Sequence, residues 1–173
     1  MKRFVIFLIL AVVIASGVFT QERAQNTVLG GIHFNPLLLG LGLDVEYERT
    51  FPDLLPGTFA VAAEAGIATV LVIPIGFNID ARARYYIKAD GNGFFADLGV
   101  GYGTLVGLPS LQFSVGAGWR FDIGQPNGWV LVPSLQGNYF LGLSKKDPDD
   151  NIFGDVGFTG LLFKLNVRIG YSF

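Results

Sequence analysis

The sequence predicts an all-β protein: an eight-stranded antiparallel up-and-down transmembrane β-barrel that follows an N-terminal signal peptide. Three observations lead to this prediction. The stretch from Phe163 to Phe173 alternates apolar and polar residues without a fault, seven earlier segments alternate in a similar way, and the first residues have the layout of an export signal. Because successive side chains in a strand point to opposite faces, each segment would have one apolar face and one polar face.

The N-terminal segment is typical of a cleaved secretory signal. Lys2 and Arg3 precede an apolar run over residues 4–14, and small residues follow at 15–17. The apolar run is too short for a comfortable membrane span of about 20 residues. We therefore predict a signal peptide over residues 1–20, with cleavage after Gly17 or Thr20, and one outer-membrane barrel domain over residues 21–173. An uncleaved N-terminal anchor is the alternative.

The composition agrees with a barrel in lipid. Hydrophobic residues make up 51% of the chain and charged residues 15%, with 24 glycines and no cysteine. An apolar chain without a spanning helix satisfies its backbone in lipid by closing a sheet, which leaves no unpaired edge. The absence of cysteine excludes disulfides and lipidation through a thiol. A formal net charge of −2 gives no support to nucleic-acid binding.

The strand prediction depends on which residues share a face. The clearest segment places Asp44, Glu46 and Glu48 on one side and leucine, valine and tyrosine on the other, so a slip of one residue would expose three carboxylates to lipid. In the fourth segment Ile75 is assigned to the outward face, and Pro133 in the seventh predicts a bulge. The predicted segments cover residues 27–34, 39–48, 59–67, 75–87, 94–103, 111–121, 129–140 and about 158–173.

The connections between segments differ at the two ends of the predicted barrel. Residues 52–57, 89–93 and 122–128 are turns rich in Pro, Gly, Asn and Asp, on the same side as both termini, which we assign to the periplasm. The opposite connections are 35–38, 68–74, 105–110 and the long, charged 141–157. Many aromatic residues fall at the periplasmic ends of the segments, which is typical of a girdle at a membrane interface.

The polar faces predict a charged barrel interior. We interpret the inward charges as ion pairs that fill a lumen too narrow for a wide aqueous pore, because near balance of the two signs favours pairing. A gated ion path or plug is the alternative. The predicted lumen charge network consists of Asp44, Glu46, Glu48, Glu64, Asp80, Arg82, Arg84, Asp97, Arg120, Asp122, Lys164 and Arg168.

The outer half of the lumen carries small inward residues, mostly glycine. Two interpretations stay open: glycine lets the strands bend and twist tightly, or the small residues leave a pocket that opens outward and admits an apolar solute. Its rim would be apolar, although the same rim could dip into the outer lipid leaflet. The rim residues are Leu37, Leu38, Leu71, Val72, Ile73, Leu105, Val106 and Leu108.

No catalytic, cofactor or metal site is predicted. His33 is the only histidine and is expected inside, near the outer mouth, with no serine or carboxylate close enough in sequence to suggest a nucleophile. The acidic loop from Lys145 to Asp155 lacks the ligand spacing of a calcium loop. An enzymatic function is therefore not expected.

The signal, the eight alternating segments and the ending Arg168-Ile169-Gly170-Tyr171-Ser172-Phe173 resemble the small bacterial outer-membrane barrel families typified by the OmpA transmembrane domain. The resemblance implies that the barrel-assembly machinery reads the last strand, with Ile169, Tyr171 and Phe173 as the assembly signal. It also implies a monomer in contact with outer-membrane lipid. The sequence departs from OmpA in ending with the barrel, and from the family in its three short, apolar outer connections.

We therefore expect an integral protein of the cell outer membrane. Its role would be structural or one of surface interaction, with an ion-paired and mostly closed lumen. The alternative is a narrow channel, or a binder of small apolar solutes, that uses the outward-facing half of the lumen.

Overall fold

The computed structural model describes residues 25–52, 57–70, 73–105, 108–123, 128–143 and 159–173. The predicted signal peptide and most of the long charged connection lie outside these residues. The strands, in chain order, are β1 (Asn26–Asn35), β2 (Gly40–Pro52), β3 (Thr58–Val70), β4 (Ile73–Tyr86), β5 (Gly93–Leu105), β6 (Leu108–Ile123), β7 (Gly128–Gly142) and β8 (Gly160–Ser172).

The eight strands form a closed barrel. Each strand pairs antiparallel with the next one in the chain, and β8 pairs with β1 from Thr27 opposite Ser172 to Phe34 opposite Leu165. The prediction of an eight-stranded antiparallel up-and-down barrel is therefore confirmed. Closure gives every strand two partners, so the sheet has no open edge. Across the described ranges the structure contains no helical segment with the length and hydrophobicity that a membrane crossing requires.

The two faces of the barrel wall are inverted relative to a protein folded in water. In β2, Leu43 is 61% exposed whereas its neighbour Asp44 is 4% exposed, and the same alternation runs through β8, where Val167 is exposed and Arg168 is buried. Water-soluble folds seldom bury charges or expose rows of leucine and valine. The outside of the barrel is thus apolar and its inside is charged.

Two details of the wall differ from the sequence-based expectations. The pairing of β6 with β7 is interrupted between Gly118–Ser134 and Phe121–Leu131, but its register is unchanged. The prediction of a bulge at Pro133 is therefore wrong, because the missing proline N–H costs ladder bonds without inserting a residue. A register shift instead lies between β3 and β4, after Ala68.

That shift changes the position of Ile75. The pairing skips one residue of β4, because Gly76 lies opposite Ala68 and Pro74 lies opposite Thr69. Ile75 is the residue left between them, and it packs against the buried Phe140 and Leu162. Its predicted outward orientation is therefore wrong, since an extra residue inverts the alternation of faces locally.

The interior contains an apolar cluster toward each end. At the end where β1 begins and β8 ends, here called the terminal end, such a cluster packs beside charged side chains. Its members are Leu29, Ala60, Tyr86, Phe95, Val130 and Val132. At the opposite end Phe140 and Leu162 pack against Leu38 and Ile75. Most charged residues of the lumen lie between or beside these two clusters, whereas Arg120 contacts Asp122 and Ser172 at the terminal end.

Candidate functional site: the barrel interior

Arg84 is the central cation of the lumen on the side of the terminal end. Its Nη1 atom contacts Glu46 Oε1 at 2.8 Å and also Glu48, and its Nη2 atom contacts Asp97 Oδ2 at 3.1 Å. The guanidinium also lies 4.4 Å from the ring centroid of Phe95, which belongs to the apolar cluster. One planar cation therefore joins β2, β4 and β5 across the interior, as the fork geometry of arginine allows.

Arg168 on β8 has the same role nearer the middle of the barrel. Its Nε atom contacts Asp44 Oδ1 at 2.6 Å, and its Nη2 atom contacts Glu64 Oε2 at 2.5 Å. Arg82 adds a second guanidinium to Glu64 at 2.6 Å, and Asp80 lies 3.7 Å from that guanidinium. Asp44 and Glu64 are each held by a cation from another strand, which compensates for their loss of water.

Arg120 links the network to the terminal end. Its Nη1 atom contacts Glu48 Oε1 at 2.8 Å, its Nε atom contacts Asp122 Oδ1 at 2.7 Å, and its Nη2 atom donates to Ser172 Oγ at 2.7 Å. The hydroxyl of Tyr86 donates to Glu48 at 2.8 Å. Glu48 is 0% exposed, and Arg84, Arg120 and Tyr86 all contact its carboxylate in place of water.

The structure brings the predicted charged residues into one connected set, here called the charge network. Arg84, Arg82 and Arg168 all contact Glu46, and Arg168 carries the connection to Glu64 and from there to Lys164. All of its members except Asp122 are buried. The members are Asp44, Glu46, Glu48, Glu64, Asp80, Arg82, Arg84, Asp97, Arg120, Asp122, Lys164 and Arg168.

The sequence interpretation missed the apolar layer next to this network. Tyr86, Phe95, Val130 and Val132 point inward, and the Tyr86 and Phe95 rings lie 5.3 Å apart. Tyr86 has the parity of Arg82 and Arg84 on β4, and Phe95 has that of Asp97 on β5. Val130 and Val132 have the parity of the inward Gln136 and Asn138 on β7. The rule that placed the charges could therefore have found them, had apolar residues with inward parity been counted.

A row of uncharged polar side chains covers another side of the lumen, on β6, β7 and β8. Gln112 Nε2 and Gln136 Nε2 both donate to Asn138 Oδ1, at 2.9 and 2.7 Å. Asn166 continues the row with a hydrogen bond to Ser134 Oγ at 3.3 Å. The interior therefore has a charged side and an amide side. The sequence predicted that these amide residues face inward, but not that they form a hydrogen-bonded row.

Three inward glycines are explained by neither of the two predicted interpretations, which were tight bending of the strands and an outward pocket. A Cβ atom at Gly101 or Gly116 would collide with the carboxylate of Asp80 or Asp97, and a Cβ at Gly31 would collide with Arg168. The glycines thus make room for the charged side chains of neighbouring strands. Neither open space nor bending of the strands is needed to explain these three positions.

A small cavity of about 30 Å³ remains at the end opposite the termini. Lys164, Gln112 and Asn138 line it from the polar interior, whereas Leu38 and Leu162 line it from the apolar layer at the barrel end. This volume holds one or two water-sized groups. Of the predicted rim, Leu37 and Ile73 are exposed at this end, as are the side chains of the neighbouring Leu39 and Leu41.

His33 lies inside the barrel beside this cavity. It is buried, and its Nδ1 atom is 3.2 Å from Asp44 Oδ2, so the ring is attached to the charge network. Among the residues that the structure describes, no group of three or more histidine, cysteine, aspartate or glutamate side chains could hold a metal ion.

The three residues assigned to the assembly signal lie together on the outer face of β8. Ile169, Tyr171 and Phe173 are all exposed, and the Tyr171 ring packs edge-on against Trp129 with centroids 5.9 Å apart. Phe173 exchanges backbone hydrogen bonds of 2.8 and 3.1 Å with Asn26, which tie the last residue to the first strand.

No sequence profile of a known protein family matches this chain. A search of curated proteins also gave no match.

Proposed function

We propose that this protein is an integral barrel of a bacterial outer membrane with a structural or surface-interaction role. The inverted wall is the observation that carries the proposal: large apolar side chains face outward on all eight strands, while the charges are inside. Burial of apolar surface is the main driving force of folding in water, so a chain that leaves this much of it outside needs an apolar solvent. Strands of 13–16 residues in β2 to β8 exceed the 9–11 residues that a tilted strand needs to cross a bilayer.

The aromatic residues support a membrane interface at the terminal end, and the long connection between β7 and β8 at the opposite end favours a periplasmic position for the terminal end. At the terminal end Phe94 and Trp119 form a ring pair at 6.4 Å, and Trp119 and Phe121 another at 6.1 Å. Aromatic side chains of this kind sit at the level of the lipid headgroups. With this orientation the turn over residues 36–39 and the strand ends at Val70, Ile73 and Leu108 face the cell exterior.

The charge network favours a closed lumen over an ion path. Arg84 and Arg168 each contact three carboxylates across the barrel, and the apolar cluster fills part of the lumen toward the terminal end. An ion would have to separate desolvated pairs, and removing one partner of such a pair costs about 3–5 kcal/mol. The charge network therefore links strands to one another through ion pairs across the lumen.

Membrane fractionation and gel migration test the location. We expect the protein in the outer-membrane fraction, resistant to carbonate extraction, with faster migration on gels when it is not heated. Recovery as a folded protein in the soluble periplasm would contradict the proposal. Planar-bilayer recordings address the closed lumen: reproducible unitary conductance steps would contradict it and support the narrow channel.

A second candidate function is the binding of a small solute at the end opposite the termini. The cavity lined by Lys164, Gln112 and Leu162 supports it, because that cavity combines buried polar groups with apolar ones. The chemistry that the cavity would select is developed in the next subsection.

A further inference from the structure

Lys164 is the member of the charge network with the weakest attachment. Its side chain is buried, with the residue 6% exposed, and its Nζ atom makes no hydrogen bond to the protein. The nearest carboxylate oxygen is Glu64 Oε1 at 3.7 Å. Glu64 already forms ion pairs with Arg82 at 2.6 Å and with Arg168 at 2.5 Å, so the ammonium group is not needed to neutralise it.

The cavity beside Lys164 contains further polar groups with unused hydrogen-bonding capacity. Asn138 Nδ2 and Gln112 Oε1 have no hydrogen-bond partner, and both residues are 0% exposed. Lys164 and Asn138 thus supply donors at the inner side of one cavity, and Gln112 supplies an acceptor. Burying a donor without a partner is unfavourable, and more so for a charged one, so a ligand that accepts from both would relieve that cost.

The remaining lining of the cavity selects for one negative charge with an apolar chain. Among the described residues that line it, Lys164 is the only lysine or arginine, and none is an aspartate or glutamate. Leu38, Phe140 and Leu162 form an apolar side next to these polar groups. An ammonium group paired with an amide donor suits a carboxylate, and the apolar side chains suit an aliphatic chain.

We propose that this cavity binds the carboxylate group of a short-chain aliphatic acid, with the carboxylate oxygens on Lys164 Nζ and Asn138 Nδ2 and the chain against Leu38 and Leu162. The volume of about 30 Å³ limits the buried part to the headgroup. The chain would extend toward the barrel end. This inference rests on the proposed function only for the statement that the cavity faces the cell exterior.

Solution NMR on the folded full-length protein in detergent tests the inference, with hexanoate as the probe. We expect saturable shifts of the side-chain amide signals of Gln112 and Asn138. Lys164→Met should weaken hexanoate binding at least about tenfold, because it removes the charge-assisted hydrogen bond from Nζ to the carboxylate. Lys88→Met is the matched control, since Lys88 is exposed in the turn at the terminal end, and it should bind as the wild type does.

Three results would overturn the inference. They are equal hexanoate affinity in Lys164→Met and the wild type, equal shifts with hexan-1-ol, and saturation of the same signals by chloride alone. If Lys164→Met does not fold, Lys164→Gln replaces it, because glutamine keeps hydrogen bonding without the charge. Binding is measured on folded protein in detergent, so its outcome is independent of the membrane location, which fractionation tests separately.

Discussion

Replacing Arg84 tests whether the charge network holds the barrel together. Arg84→Met keeps most of the side-chain volume but leaves Glu46, Glu48 and Asp97 without their shared guanidinium. The side chains of these carboxylates are at most 4% exposed, so water cannot replace the lost contacts. Breaking a buried pair in this way costs about 3–5 kcal/mol, and we expect a loss of that size in the free energy of unfolding.

The assay is reversible urea unfolding in lipid vesicles, followed by fluorescence of the two tryptophans. Lys88→Met removes an exposed cation at the barrel end and should change the free energy of unfolding by no more than about 0.5 kcal/mol. Adding Asp97→Asn to Arg84→Met should recover part of the loss, because it removes the carboxylate that Arg84 paired, whereas Glu46 and Glu48 keep contacts to other arginines. Equal free energies of unfolding for Arg84→Met and Lys88→Met would refute the idea that the charge network stabilises the barrel by linking its strands.

Three further predictions concern the wall, the packing and the assembly of the barrel. Val167→Arg should lower the free energy of unfolding in vesicles by about 2–4 kcal/mol, whereas Tyr171→Arg near the interface should cost about 0–1 kcal/mol; equal costs would contradict the lipid contact. Gly101→Ala should lower the urea midpoint through a loss of about 1–3 kcal/mol, because its Cβ would collide with a lumen carboxylate. Gly30→Ala has open space around the new Cβ and should be neutral, so similar midpoints would count against the packing argument. Deleting Phe173 should reduce the yield of heat-modifiable barrel while export continues, and a normal yield would rule out its role as an assembly signal.

The strands could be predicted because charges and large apolar residues alternate with a period of two. Asp44, Glu46 and Glu48 alone determine the faces of β2, and the structure buries all three. The even number of segments and their short turns then favour an up-and-down barrel. Closure between β1 and β8 follows from the same argument, since an open sheet would leave two unpaired edges.

The interior of the barrel was harder to predict than its wall. Parity gives the face of a residue but not its height relative to strands far away in the sequence, so the triple contact of Arg84 could not be derived. The register shift after Ala68 has no signal in the sequence, and it turns the Ile75 side chain from the outer face to the inner face. The side chains of Gln112 and Asn138 carry no charge, so a site could not be predicted from their alternation alone, although both residues are fully buried.

The central claim is that the apolar outer face contacts lipid, and site-directed spin labelling measures this directly. The chain has no cysteine, so each introduced thiol is the only attachment point for a nitroxide. Labels at the exposed positions Leu43, Ile79, Val115 and Val167 in lipid vesicles should be accessible to oxygen and protected from a water-soluble nickel complex. A label at Lys88 should show the reverse. Strong access of the nickel complex to the first four labels would contradict the account, because the apolar face would then be in water.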